Sequence, residues 1–379
     1  MKFNRSTLGL VTIVCLISST LAPPSWSQEK IRIDEKTMAI VPSPWKLMEV
    51  ETTASLRGLY VLSESEVWIS GSGGTIINST DGGETWNVRV VPGAEELDFR
   101  DIHAIDSGTI VAMTSGSPAR VYRSTNGGAT WELCFEKTDE QVFLDALSFW
   151  DDQNGIIMGD PIDEKLYLIG TTDGGKTWTL NPNVPRTNPG EAGFAGSGTN
   201  MISIGNRKMM VALGGDEKDQ SKESSRVLIS ENRGQSWIVA NMPIGRNPSS
   251  GVFSVCFAND NDGVAVGGDY LKADDNTNNF ATSSDGGKTW VTPQQDRQPP
   301  SGYRSCVATW LNGREINFVT VGPTGTDLSG DLGKSWRRVS NQGFHAVDFT
   351  QDGKHGWASG GDGRIAKWVG IPNSKSTQR

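Results

Sequence analysis

The stretch that decides the fold is Ser79-Thr80-Asp81-Gly82-Gly83-Glu84-Thr85-Trp86, because the chain repeats it. Five more copies follow: 124–131 (STNGGATW), 171–178 (TTDGGKTW), 230–237 (SENRGQSW), 283–290 (SSDGGKTW) and 329–336 (SGDLGKSW). The shared pattern is [S/T]-x-[D/N]-x-G-x-[T/S]-W. Successive tryptophans lie 45, 47, 59, 53 and 46 residues apart. A period of roughly 45 with occasional insertions belongs to a propeller or a solenoid.

The motif has the chemistry of a tight turn between strands. Asp81, Asn126, Asp173, Asn232, Asp285 and Asp331 are placed to accept backbone N–H bonds. The glycine supplies a positive φ. Trp86, Trp131, Trp178, Trp237, Trp290 and Trp336 open the outgoing strand and cover the turn. Before each turn lies a short strand such as 75–77 or 120–122. Before that comes an apolar strand ending in glycine, such as 67–71, 155–159 or 263–267. Earlier still is an alternating strand, such as 56–62, 99–105 or 303–309. With the segment after the Trp, this makes four antiparallel strands, one propeller blade.

The ends set the blade count. After Trp336 come three strands, 344–349, 356–360 and 364–368, and no fourth. At the other end, 44–50 (PWKLMEV) reads as a fourth strand without predecessors. The expectation is an all-β, seven-bladed β-propeller over 42–370, closed by the N-terminal strand in the last blade. Closure also removes an open sheet edge.

Composition fits this and excludes other classes. Glycine is 45 of 379 residues and Trp is 13, more than Phe at 12. Both excesses go into turns and fourth strands. A net charge of −9 argues against a nucleic-acid partner. Residues 1–27 read as a secretory signal, with Lys2 and Arg5 before an apolar run at 8–22 too short to span a bilayer. The expectation is therefore an exported protein, periplasmic or extracellular, with no membrane span after cleavage. Residues 28–41 are a lead and 371–379 a flexible tail. Cys134, Cys256 and Cys306 then remain, an odd count that reads as free thiols, with a Cys256–Cys306 bridge as the alternative.

The turn motif resembles the Asp-box, or BNR, repeat of sialidases and related propellers. The wider pattern resembles the photosystem II stability/assembly factor family, and among its members the exported bacterial relatives of uncertain function. First strands such as Leu56-Arg57-Gly58-Leu59 and Phe99-Arg100-Asp101-Ile102 carry the resemblance, with segments 158–163 (MGDPID) and 267–270 (GGDY). Coverage runs over about residues 40–370.

Chain topology puts all six turns on one rim. The insertions at 181–199, 216–225 and 270–279 fall on the other, which is the expected functional face. First strands start there. Counted from their start, Arg57, Arg100 and Arg304 hold one position in blades 1, 2 and 6, and His345 holds it in blade 7. Leu144 and Ser254 hold it in blades 3 and 5. These blades adjoin in a closed ring, so a cationic patch is expected at the channel mouth. Arginine forks suit carboxylate, sulfate or phosphate oxygens. The alternative is local pairing with Asp98, Asp101 or Asp145. The family resemblance implies an arginine patch that contacts a client protein, one that is membrane-associated in the family's setting. It implies a non-enzymatic binding and assembly role.

Enzyme chemistry has little support in the residues. A sialidase-like glycosidase needs an arginine triad with a Tyr–Glu pair, and Tyr60, Tyr303 and Glu191 have no matching spacing. A glycan remains the alternative partner. No dinucleotide fingerprint, CxxC or haem motif is present, and only His103, His345 and His355 could serve a quinone-type redox site. No catalytic residue, cofactor or metal is assigned. The acidic run 259–263 (NDNDG) lacks a calcium-loop frame and reads as a hairpin turn. The Gly-rich stretch 190–198 reads as a flexible loop between blades.

Overall fold

A computed structural model describes residues 43–215, 224–293 and 296–371. The signal, the lead, most of the 216–225 insertion and the tail past Ile371 lie outside the described residues. The rest is a ring of seven antiparallel sheets. Blade 1 runs Leu56–Val61, Val67–Gly71, Thr75–Ser79 and Asn87–Val90, each strand paired with the next in sequence. Second strands such as Val67–Gly71 and Gly263–Asp269 are buried at every residue, because they lie between two blades. That is why they read as continuous apolar runs. The outermost strand Asn87–Val90 is largely exposed.

The last blade contains Ala346–Phe349, Gly356–Ser359 and Ile365–Trp368. Its fourth strand is Trp45–Met48, from the other end of the chain. The register pairs Trp45 with Trp368 and Met48 with Ile365. Two blades fall short of four full strands. In blade 3 the fourth is only Thr179–Leu180, and in blade 5 it shrinks to a single bridge between Thr282 and Val291. Pro182 and Pro293 follow closely and have no N–H to continue a ladder.

The core is divided among seven clusters, each shared by two adjacent blades. Leu59, Ile69 and Ile77 of blade 1, for example, pack on Ala346, Trp357 and Ile365 of blade 7.

The six repeated turns lock these interfaces. In the first, the Ser79 hydroxyl accepts the Gly83 N–H at 2.8 Å. Asp81 accepts the Thr85 N–H at 2.9 Å and the Thr85 hydroxyl at 2.5 Å. Two left-handed residues follow each other, Gly82 and Gly83. Arg233 and Leu332 fill the first such place in two turns, so a side chain is tolerated there. The second is glycine in all six. A Cβ on Gly83 would enter the Trp357 ring, and one on Gly128 would touch Trp68 at 3.0 Å. Each turn thus presses on the blade before it. Gly83→Ala is expected to cost roughly 2–3 kcal/mol, from the left-handed penalty plus overpacking. Gly82→Ala should cost less, and urea unfolding of the two variants separates them. The run 259–263 is a turn, with Asn259 Oδ1 accepting the Asn261 and Asp262 N–H groups at 2.9 Å.

Candidate functional site

The rim opposite the turns is organised by a β-bulge near the start of the first strands. The ladder skips Arg57 between Leu56 and Gly58, Arg100 between Phe99 and Asp101, Asp145 between Leu144 and Ala146, and Phe253 between Val252 and Ser254. Ser305 and His345 take the equivalent place. Each sits just before a paired residue, Cys306 or Ala346, and donates its N–H to Val321 O or Ser359 O. The bulged residue turns its side chain to the channel mouth. Arg57, Arg100, Phe253, Ser305 and His345 all line one cavity of about 300 Å³.

This register corrects the sequence expectation at three positions. Arg304 is one residue out of step, and a one-residue slip sends a side chain to the other face. It is fully buried, its Nε 2.7 Å from Asp327 Oδ2, with Tyr303 O, Thr324 Oγ1 and Ser301 O taking its remaining N–H groups. It does not line the mouth. In blades 3 and 5 the mouth position belongs to Asp145 and Phe253, not Leu144 and Ser254.

The second correction concerns the Gly-rich stretch. Residues 192–200 enter the channel and span it. Ala195 O accepts a bond from Arg100 at 3.0 Å, and Gly196 O one from Arg57 at 3.5 Å. Ser197 Oγ donates to Ser305 O at 3.0 Å, and Thr199 O accepts the Val255 N–H. Blades 1, 2, 5 and 6 therefore hold one plug. Glycines serve it sterically. A Cβ on Gly193 would meet Asp145 Oδ2 at 2.6 Å, and one on Gly198 would overlap the Asp101 carboxyl. Its approach is anchored by Glu191, which is buried and paired with Arg226 and Arg246.

The plug floors the cavity. Phe194 at its tip stacks on Phe253 with centroids 4.5 Å apart, and Tyr303 meets Phe253 edge-on at 4.7 Å. Tyr270, half exposed, closes the side. Of these, Phe194, Phe253 and Tyr270 were not singled out as site residues in the sequence. Counting back from the strand end, rather than forward from its start, identifies Phe253.

The electrostatics follow from burial. The Arg57 guanidinium is pushed below its usual range by desolvation and by the adjacent Arg100 charge. Arg100 is partly balanced by Asp98 at 2.7 Å. Burial first, then Arg57, pushes His345 down to about 4, so its ring is neutral at pH 7. Its Nδ1 lies 3.2 Å from Leu56 O. The cavity therefore offers two guanidinium groups and a neutral imidazole beside aromatic faces.

Among the described residues, the side chains weighed for a glycosidase or a redox site are not brought together. Tyr60 lies at the other end of the channel, Tyr303 lines this mouth, and Glu191 is held by two arginines. His103 is half-buried at the far end and His355 pairs with Glu64. Among the described residues no group of three His, Cys, Asp or Glu is placed to hold a metal. Cys134, Cys256 and Cys306 are free thiols.

Residues 37–139 match the family model described as photosynthesis system II assembly factor YCF48. No curated protein matches the chain in sequence. Among solved structures, a YCF48 bound to a D1 peptide superposes with a TM-score of 0.59 at 15% identity, covering 87% of this chain and 96% of that one. YCF48 from Cyanidioschyzon merolae gives 0.57 at 17% identity, covering 86% and 99%. A Xanthomonas campestris GH74 xyloglucanase gives 0.56 at 15% identity, covering 88% of this chain and 55% of its own. At such identities these likenesses show the propeller fold alone. The match over residues 37–139 and the seven-bladed ring make this chain similar to the photosystem II assembly factors in fold and in its first blades, the likeness its repeats and first strands indicated.

Proposed function

We propose that the chain is an exported, non-enzymatic binding and assembly platform that docks an anionic protein segment at the mouth bearing Arg57, Arg100 and His345. The observation that carries this is the pair of guanidinium groups on the wall of an open, aromatic-lined cavity, in a protein of net charge −9. Their fork geometry matches carboxylates. Their present acceptors on the plug are backbone carbonyls, at 3.0 and 3.5 Å, which an incoming carboxylate outcompetes by charge. Phe194, Phe253, Tyr270 and Tyr303 supply apolar contact beside the charge. The structural neighbour bound to a D1 peptide supports a peptide as the kind of ligand. Arg304 has no part in this.

The test is fluorescence anisotropy with a labelled D1 peptide and acid-rich peptides of unrelated sequence. Arg57→Ala with Arg100→Ala should weaken binding by roughly tenfold or more, at unchanged melting temperature. Affinity should also fall with added salt. Equal binding by wild type and variant ends the proposal. The glycan alternative has the GH74 neighbours behind it at the level of fold only. Turnover of a glycoside panel by the purified chain would favour it.

A further inference from the structure

The channel has a second mouth on the rim of the turns, separated from the arginine site by the plug. One first-strand position points into it from every blade. In the blades that carry the turn it pairs with the residue just after the one opposite the turn's first Ser or Thr: Tyr60 pairs with Trp68, next to Val67 opposite Ser79, and His103 with Val111, next to Ile110 opposite Ser124. In blades 1, 2, 3 and 7 it holds Tyr60, His103, Ser148 and Asp348. In blades 4, 5 and 6 it holds Ile202, Cys256 and Ala308. Polar chemistry is gathered on one side of the channel.

That side lines a cavity of about 510 Å³. Its wall is a row of rings. Tyr60 and His103 have centroids 4.2 Å apart, and His103 stacks on Phe149 at 4.9 Å. Asp348 and Asp152 face the same space, and no lysine or arginine lines it. Asp151 at the edge is spoken for by Arg233 at 2.9 Å and by Asn154. His103 does not supply the missing positive charge, since burial pushes it down to about 3. Burial, then Asp348 and Asp152, pushes the Tyr60 hydroxyl up to about 12, so the ring stays neutral while sensing both carboxyls. Aromatic faces beside carboxylates, with no internal cation, make a receptor for an organic cation.

We propose that this mouth binds a small organic ammonium ion, held between Asp348 and Asp152 beside the rings of Tyr60, His103 and Phe149. The site is independent of the arginine mouth.

Isothermal titration calorimetry of the full chain at pH 8.5, above the value of about 7 to which burial pushes Asp348, with choline and with its neutral isostere 3,3-dimethylbutan-1-ol, tests this. Choline should bind saturably at one per chain, and the isostere roughly tenfold weaker or not at all. Asp348→Asn keeps an acceptor for the Val61 N–H, now 2.7 Å from Asp348 Oδ2, and removes the charge. It should lose roughly tenfold or more in choline affinity. Asp152→Asn, at an exposed position, is safe for folding and should lose several-fold. Equal binding of choline and isostere, or no saturable choline binding, overturns the proposal. So does wild-type affinity in a folded Asp348→Asn. If that variant does not fold, the isostere and Asp152→Asn decide.

Discussion

Trp45→Ala is expected to lower stability by roughly 3–5 kcal/mol, far more than any change on the exposed face of the same strand. Trp45 begins the strand that joins the two ends of the chain. Its ring is buried, edge-on to Trp368 at 4.8 Å and against Phe344 at 5.2 Å. Its indole N–H donates to Thr326 Oγ1 of blade 6 at 2.9 Å. Truncation leaves a cavity, an unpaired buried hydroxyl and a loosened clasp between blades 6 and 7. Leu47, two residues on, is half exposed, and Leu47→Ala should be close to neutral. Urea unfolding measures both. A Trp45→Ala midpoint equal to that of Leu47→Ala would show that closure contributes little.

Stability is also expected to fall by several kcal/mol between pH 5 and pH 8, the reverse of ordinary acid denaturation. Asp101 and Asp348 line the channel, and burial pushes each up to about 7 from 3.8. Their bonds from Leu147, Ile102 and Val61 N–H groups oppose the shift without cancelling it. Between pH 4 and 7 the folded state then holds more protons than the unfolded one. The unfolding free energy declines as pH rises through that window, and the full penalty is present above pH 7. Three units correspond to about 4 kcal/mol per group as an upper figure. On the acid side the sign reverses. The Thr85 hydroxyl, with the Thr85 N–H, holds Asp81 down at about 2, so its contribution is present above its usual value and is lost as pH falls through 2. Maximum stability is expected near pH 4–5. Asp348→Asn should flatten the decline toward pH 8, and denaturant midpoints across pH measure it. A profile rising from pH 5 to 8 would contradict this account of the channel.

The blade was legible because its turn carries its own chemistry and returns at a regular interval. Seven sheets, the closing strand and the assignment of rims followed from that. The site was half legible. Arg57, Arg100 and His345 line one cavity, because the mouth position repeats around the ring. Arg304 was misplaced because the ladder of blade 6 begins only at Cys306, so its mouth residue stands one place later than in blades 1 and 2, and that offset has no signature in a single sequence. Aligned on the paired residue that follows the mouth position, Ser254 or Cys306, Phe253 and Ser305 take the mouth. The plug was illegible for another reason. Residues 192–200 have neither period 2 nor period 3.6, and their burial depends on contacts with blades 1, 2, 5 and 6, up to 139 residues away in sequence. Blade 5 lost its fourth strand to prolines already visible at 293, 299 and 300.

The arginine mouth is the central claim, and a crystal structure of the chain with a bound acid-rich peptide tests it most directly. The account predicts peptide carboxylates on Arg57 and Arg100, with the segment against Phe194 and Tyr303 and Arg304 still on Asp327. A peptide seated on the rim of the turns, or added to the outer strand of a blade, would contradict it.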